Sequence, residues 1–109
     1  MVKPVAGKVV VLPLPQTNLQ IGKRRPALVV ADLAGDDLIL CQITTQSRRD
    51  NYAIALTSAE FEHGRLKVDS FIRANRLFTI DESLILYSAG KKNGNKLNDV
   101  LAKIRDLFS

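Results

Sequence analysis

Three adjacent cations, Lys23-Arg24-Arg25, stand directly before Pro26 and the apolar run Ala27-Leu28-Val29-Val30-Ala31. Like charges side by side repel one another, so the trio costs stability unless an anion is expected there. A phosphate is the simplest such anion, because its oxygens match the planar guanidinium fork. A second cluster, Ile43-Thr44-Thr45-Gln46-Ser47, places hydroxyl and amide side chains just before Arg48-Arg49. The same residue types also suit a strand end followed by a turn, a reading that needs no ligand. Arg65, Lys67, Arg73 and Arg76 form a third basic group, and Lys91, Lys92 and Lys96 read as solvated surface charge.

The inventory excludes several kinds of chemistry. Among 109 residues there is one cysteine, Cys41, and one histidine, His63 in the turn-like Glu62-His63-Gly64. A disulfide framework and the common zinc spacings need more of both. A Ser-His-Asp triad and a Cys-His pair fit poorly, and no metal or cofactor is expected. Sixteen Lys and Arg against eleven Asp and Glu give a net charge of +5 and a pI near 9.7. That balance favours an anionic partner: nucleic acid, an acidic protein or a membrane surface. No stretch approaches the ~20 apolar residues of a membrane span, and the apolar run Val9–Leu12 is too short for a signal peptide. A soluble, cytoplasmic protein without a membrane partner is expected.

The elements that must position these groups are mostly short strands. Runs of four to eight apolar residues bounded by Gly, Pro or Asp predict strands at Val9–Leu12, Ala27–Ala31, Leu38–Ile43, Tyr52–Leu56, Lys67–Ile72 and Leu84–Tyr87. Pro13 is expected to stop the first. Leu97, Val100, Leu101, Ile104, Leu107 and Phe108 then fall on one helical stripe, with Asn95 or Asn98 as the cap. With 46% hydrophobic residues, the chain can build one core, and residues 1–109 read as a single domain. The fold class is mainly β (α+β): a compact, strongly bent antiparallel sheet or small barrel closed on one side by the C-terminal amphipathic helix. The irregular stretch Pro13–Lys23 is of a length that often binds something.

Five segments in order resemble the MazF/PemK-like toxins of bacterial toxin–antitoxin systems. Gly22-Lys23-Arg24-Arg25-Pro26-Ala27-Leu28-Val29-Val30 is similar to that family's Arg-Pro-Val/Ala-Leu-Val segment, and Val9–Leu19 to its first strand and Pro-x-Pro loop. Ile43-Thr44-Thr45-Gln46 resembles its Ile-Thr-x-Gln strand end. Ser70-Phe71-Ile72-Arg73 through Thr79-Ile80-Asp81 resembles its Ser-x-Val/Ile-Arg strand and Thr-Ile-Asp close, and the final helix also fits. The resemblance covers residues 7–108.

It implies an SH3-like barrel working as a homodimer, and a metal-independent, sequence-selective endoribonuclease that cuts single-stranded RNA and is neutralised by an acidic antitoxin protein. The family's catalytic arginine and threonine correspond to Arg25 and Thr44. Contacts to RNA would then come from Pro15, Gln16, Thr17, Asn18, Lys23, Arg24, Gln46, Ser47, Arg73 and Asn75. Cleavage of this kind uses the neighbouring 2′-hydroxyl as nucleophile and leaves a 2′,3′-cyclic phosphate and a 5′-hydroxyl. The chain departs from the family pattern at Gly7-Lys8, at Asn75 where some members carry an acid, and at Phe78 where some carry arginine. Two other readings compete: a CcdB-like toxin that poisons gyrase by binding, and a nucleic-acid-binding barrel without catalysis.

Overall fold

The computed structural model describes residues 4–14, 23–45, 52–56, 70–88 and 94–109. Six strands form one sheet: β1 (Val9–Leu14), β2 (Lys23–Asp32), β3 (Asp37–Thr44), β4 (Ala53–Leu56), β5 (Ser70–Asp81) and β6 (Tyr87–Ser88). A single 3₁₀ turn, Glu82–Leu84, separates the last two, and helix α1 (Gly94–Leu107) ends the chain. The strand order is β4-β5-β3-β2-β1-β6, and every pairing is antiparallel. The fold is thus mainly β with one C-terminal helix, as the apolar spacing predicts. Among the described residues the order is open from β4 to β6, and the expected barrel closure is not seen.

Strand alternation gives the sheet two apolar faces. Val9, Val11, Leu28, Val30, Cys41, Ile43, Leu56, Ile72 and Ala74 are buried together with Val100 of α1, and Leu97, Leu101 and Ile104 pack against them. The opposite face buries Val10, Leu12, Ala27, Val29, Leu38, Leu40 and Ile85, flanked by Phe78 and Ile80. A fully buried Leu or Ile side chain contributes about 1.5–3 kcal/mol, so both clusters matter to stability. Burial on both faces explains why β1 to β3 read as continuous apolar runs instead of alternating ones. Burial also pushes the Cys41 thiol up to about 12, which keeps it neutral.

Element boundaries differ from the sequence reading in instructive ways. Proline does not stop β1 at residue 13. β6 pairs only with Val10 and Val11, so Pro13 lies where β1 is already an edge and its missing donor goes unneeded. β2 begins four residues before its apolar run because Lys23–Arg25 pair with Leu12–Leu14. Glu82–Leu84 forms the 3₁₀ turn, so β6 starts at Tyr87 instead of Leu84. Asn95 and Asn98 lie inside α1 and do not cap it. Phe108 follows the helix end and is 80% exposed, outside the apolar stripe.

β5 is the largest surprise. Its register against β3 slips between Cys41↔Leu77 and Ile43↔Ile72, so Arg73-Ala74-Asn75-Arg76 stand opposite Gln42 alone. A bulge bends a strand and raises its local twist. Three extra residues also reverse parity: Ile72 and Ala74 face α1, whereas Phe78 and Ile80 face the other cluster. A period-2 reading cannot follow a strand through such a reversal.

Candidate active site

Ladder register brings the two singled-out clusters together. Ala27 pairs with Gln42, Leu28 with Cys41 and Val29 with Leu40. The same register carried two residues further sets Arg25 level with Thr44. Pro26 has no N–H to give, and the regular β2–β3 ladder starts just after it. On its other side Arg25 pairs with Leu12, and Thr44 pairs with Phe71 of β5. Leu12, Ala27 and Leu40 belong to the cluster away from α1. By alternation Arg25, Gln42, Thr44, Phe71 and Arg73 therefore lie on that face, at the strand ends beyond the apolar core.

Arg25 is half-buried and Arg24 exposed. Arg73 retains only 8% exposure and pairs with Ala53 at the sheet margin. A cation so enclosed is costly unless neighbouring groups or an anion compensate it. Arg25, Thr44 and Arg73 each engage other groups within the protein, so the grip on an anion would be built on an already ordered frame. Asn75 lies in the β5 bulge and is exposed. Lys23 joins the backbone ladder opposite Leu14. Pro15, Gln16, Thr17, Asn18, Gln46, Ser47 and His63 lie outside the described residues.

The sequence reading did not single out Gln42 or Phe71. The available signal was parity: Gln42 is two residues before Thr44, and Phe71 two before Arg73, so each shares a face with the residue already marked. A separate cleft of about 390 Å³ opens between Tyr52 and the C-terminal part of α1, lined by Lys103, Asp106 and Leu107. Among the described residues no group of His, Cys, Asp and Glu could hold a metal ion, and no helix is long and apolar enough to cross a membrane.

Residues 6–108 match the family described as the PemK-like, MazF-like toxin of type II toxin–antitoxin systems. The chain belongs to that family. Solved structures agree on the fold. MazF (Form-I) from Deinococcus radiodurans is 24% identical, with a TM-score of 0.77 and coverage of 99% of this chain and 98% of that one. A MazE-MazF structure (Form-III) from the same organism is 23% identical, covers 98% and 97%, and also has a TM-score of 0.77. Mycobacterium tuberculosis toxin MazF-mt6 is 16% identical, covers 93% and 95%, and has a TM-score of 0.72. No curated protein matches the sequence. In this MazF/PemK-family chain, Arg25-Pro26 lies near the start of β2 and Ile43-Thr44 at the end of the neighbouring strand β3.

Proposed function

We propose that this MazF/PemK-family toxin is a metal-independent, sequence-selective endoribonuclease acting on single-stranded RNA, with Arg25 and Thr44 as its catalytic pair. The observation that carries this reading is register: the β2–β3 pairing Ala27↔Gln42, carried two residues on, would bring Arg25 level with Thr44 on one sheet face although 19 positions separate them in sequence. The RNA supplies the nucleophile, its own 2′-hydroxyl. That oxygen attacks phosphorus, the bond to the 5′-oxygen breaks, and the leaving oxygen takes up a proton. The products carry a 2′,3′-cyclic phosphate and a 5′-hydroxyl.

Arg25 stabilises the charge that builds on the phosphoryl oxygens, through a planar fork of donors that stays protonated throughout. Family precedent adds a part in proton transfer, which a pKa above ~12 makes the harder role. Thr44 donates to the same phosphate or orients the 2′-hydroxyl, and orientation alone is worth several kcal/mol. Asn75 leaves the β5 bulge without a carboxylate, so no carboxylate at that position serves as base. Lys23, Arg24 and Arg73 hold the strand by charge, while Pro15–Asn18, Gln46 and Ser47 supply base contacts.

Two partners belong to this reading. An acidic antitoxin would lay a charged, apolar-studded segment over Arg24 and Arg25 and compete with RNA; structural neighbours include a MazE-MazF complex and an endoribonuclease with its cognate antitoxin. A homodimer would cover apolar groups now half-exposed near the β6 edge, Leu84, Leu86 and Tyr87.

The test is direct. Purified protein should cut single-stranded RNA in excess EDTA and leave 5′-hydroxyl ends that a kinase can label without prior phosphatase treatment. A strict requirement for a divalent ion, or 5′-phosphate ends, would contradict the mechanism. Phe108, exposed beyond α1, is the one feature favouring the protein-binding alternative; growth arrest that survives Arg25→Ala but is lost on removing Phe108 and Ser109 would support it.

A further inference from the structure

Phosphate contacts position an RNA strand but cannot select where it is cut; selection needs contacts to bases. Stacking surfaces are scarce in this chain, which has four Phe, two Tyr and no Trp. Among the described aromatics, Phe78 packs into the sheet core, Tyr52 lines the cleft beside α1, Tyr87 lies on β6 and Phe108 follows the helix. Phe71 alone of these stands in register with Thr44. Directly opposed residues of an antiparallel pair have Cβ atoms about 4.5–5.5 Å apart. Its half-buried ring thus flanks the phosphate position assigned to Arg25 and Thr44.

Gln42 is the second anomaly of this face. It continues the row Leu38, Leu40, whose members are fully buried and apolar, yet it carries an amide and is half-buried. Its partner on β2 is Ala27, whose methyl group leaves room above the sheet. On the β5 side the ladder is interrupted at this residue. A half-buried amide on an otherwise apolar face is an unusual choice there, and it offers a donor and an acceptor side by side.

We propose that Phe71 and Gln42 form a base-binding subsite beside the Arg25–Thr44 pair. The nucleobase adjoining the scissile phosphate stacks on Phe71, and its polar edge meets the Gln42 amide. Gln42 and Phe71 lie on a diagonal of the β3–β5 pair, a spacing that long and aromatic side chains bridge. The amide selects a base edge on which a donor adjoins an acceptor. Phe71 and Gln42 are specificity residues that hold and read the strand, and the chemistry stays with Arg25 and Thr44. The assignment rests on the ribonuclease reading.

The experiment digests a randomised single-stranded RNA library with wild type, Phe71→Leu, Phe71→Trp, Gln42→Ala and Gln42→Met, and maps the new ends by sequencing. Kinetics on the preferred sequence are measured alongside, and thermal melting checks each fold. Phe71→Leu should raise KM about tenfold with kcat within about threefold, the size expected for losing one stacked base. Phe71→Trp should restore KM. Both Gln42 variants should still cut but lose preference at one position flanking the cut. Unchanged KM in Phe71→Leu together with unchanged preference in the Gln42 variants, beside an active wild type, overturns the subsite and leaves the ribonuclease reading standing. A wild type that cuts nothing in the library overturns both. Should Phe71→Leu fail to fold, Gln42→Met keeps side-chain volume and decides the question through cut-site preference.

Discussion

Strands β2 and β3 carry opposite charge at their two ends. At one end stand Lys23, Arg24 and Arg25, with Thr44 beside them and Arg73 on the neighbouring strand. At the other end, Asp32 ends β2, Asp36 lies in the β2–β3 turn and Asp37 starts β3, while β5 ends on Asp81 and Glu82 opens the 3₁₀ turn. Each end is fastened differently. The acidic end is stapled by backbone: the Leu33 N–H donates to the Asp37 carbonyl at 3.1 Å, and the Glu82 N–H to the Asp36 carbonyl at 2.8 Å. Gly35, at φ +74°, makes the turn possible. The Ser83 N–H donates to Asp81 Oδ1 at 2.8 Å, and that backbone bond holds the Asp81 carboxyl below its ordinary 3.8, helped by the Ser83 hydroxyl. At this end the Asp81 carboxylate thus completes local structure. The cations at the basic end precede a proline at the start of β2, and Arg25 and Arg73 there engage other groups of the protein. The +5 net charge is the residue of this separation and understates the local field at the basic end.

The sharpest way to break the comparison is to remove one charge from each end. Arg25→Ala should lower RNA cleavage about 10²–10³-fold, the usual loss of one preorganised donor to a developing oxyanion, while melting stays near wild type. The mirror change, Asp36→Asn, should leave cleavage within about twofold; equal losses from both would dissolve the distinction. Next in size is Thr44→Val, an isosteric loss of the hydroxyl. It should cost about tenfold to a hundredfold in kcat, because misplacement alone carries penalties of that order, and unimpaired turnover would take Thr44 out of the mechanism.

The smallest effect belongs to the acidic end and is one of stability. Because the folded-state pKa of Asp81 is depressed, its contribution is present above the ordinary carboxylate range and fades as pH falls through the lowered value. Asp81→Ala should therefore melt slightly earlier than wild type at neutral pH, and the two melting temperatures should converge in acid. A gap that persists unchanged at low pH would mean that the Asp81 carboxylate is not what caps the 3₁₀ turn.

Much of this molecule was legible before its coordinates. Short apolar runs bounded by Pro, Gly and Asp marked five of the six strands to within a few residues, because burial on both faces writes itself as continuous Val, Leu and Ile. The helix was readable from the spacing of Leu97, Val100, Leu101 and Ile104, all of which meet the core. Phe108 belonged to that pattern on paper but lies past the last helical residue, where the angular rule no longer applies. For the candidate site, residue types alone suggested an anion near Arg25 and a polar cluster at Ile43–Ser47. The family motifs named the same two residues.

The sequence by itself thus determined most of the strands, the helix stripe, the Arg-Pro and Ile-Thr-x-Gln segments and the scarcity of His and Cys. Tertiary structure alone decided which of these meet. Nothing local relates Arg25 to Thr44; their alignment depends on the β2–β3 register that pairs Ala27 with Gln42, and register is fixed by where both strands bury Ala27, Val29 and Leu40. Nor could a period of two foresee the β5 bulge, which turns Phe71 and Arg73 toward Thr44 while Phe78 and Ile80 go to the core of that same face. That reversal depends on how many residues β5 spends opposite a single residue of β3, a pairing between distant segments that no local pattern records.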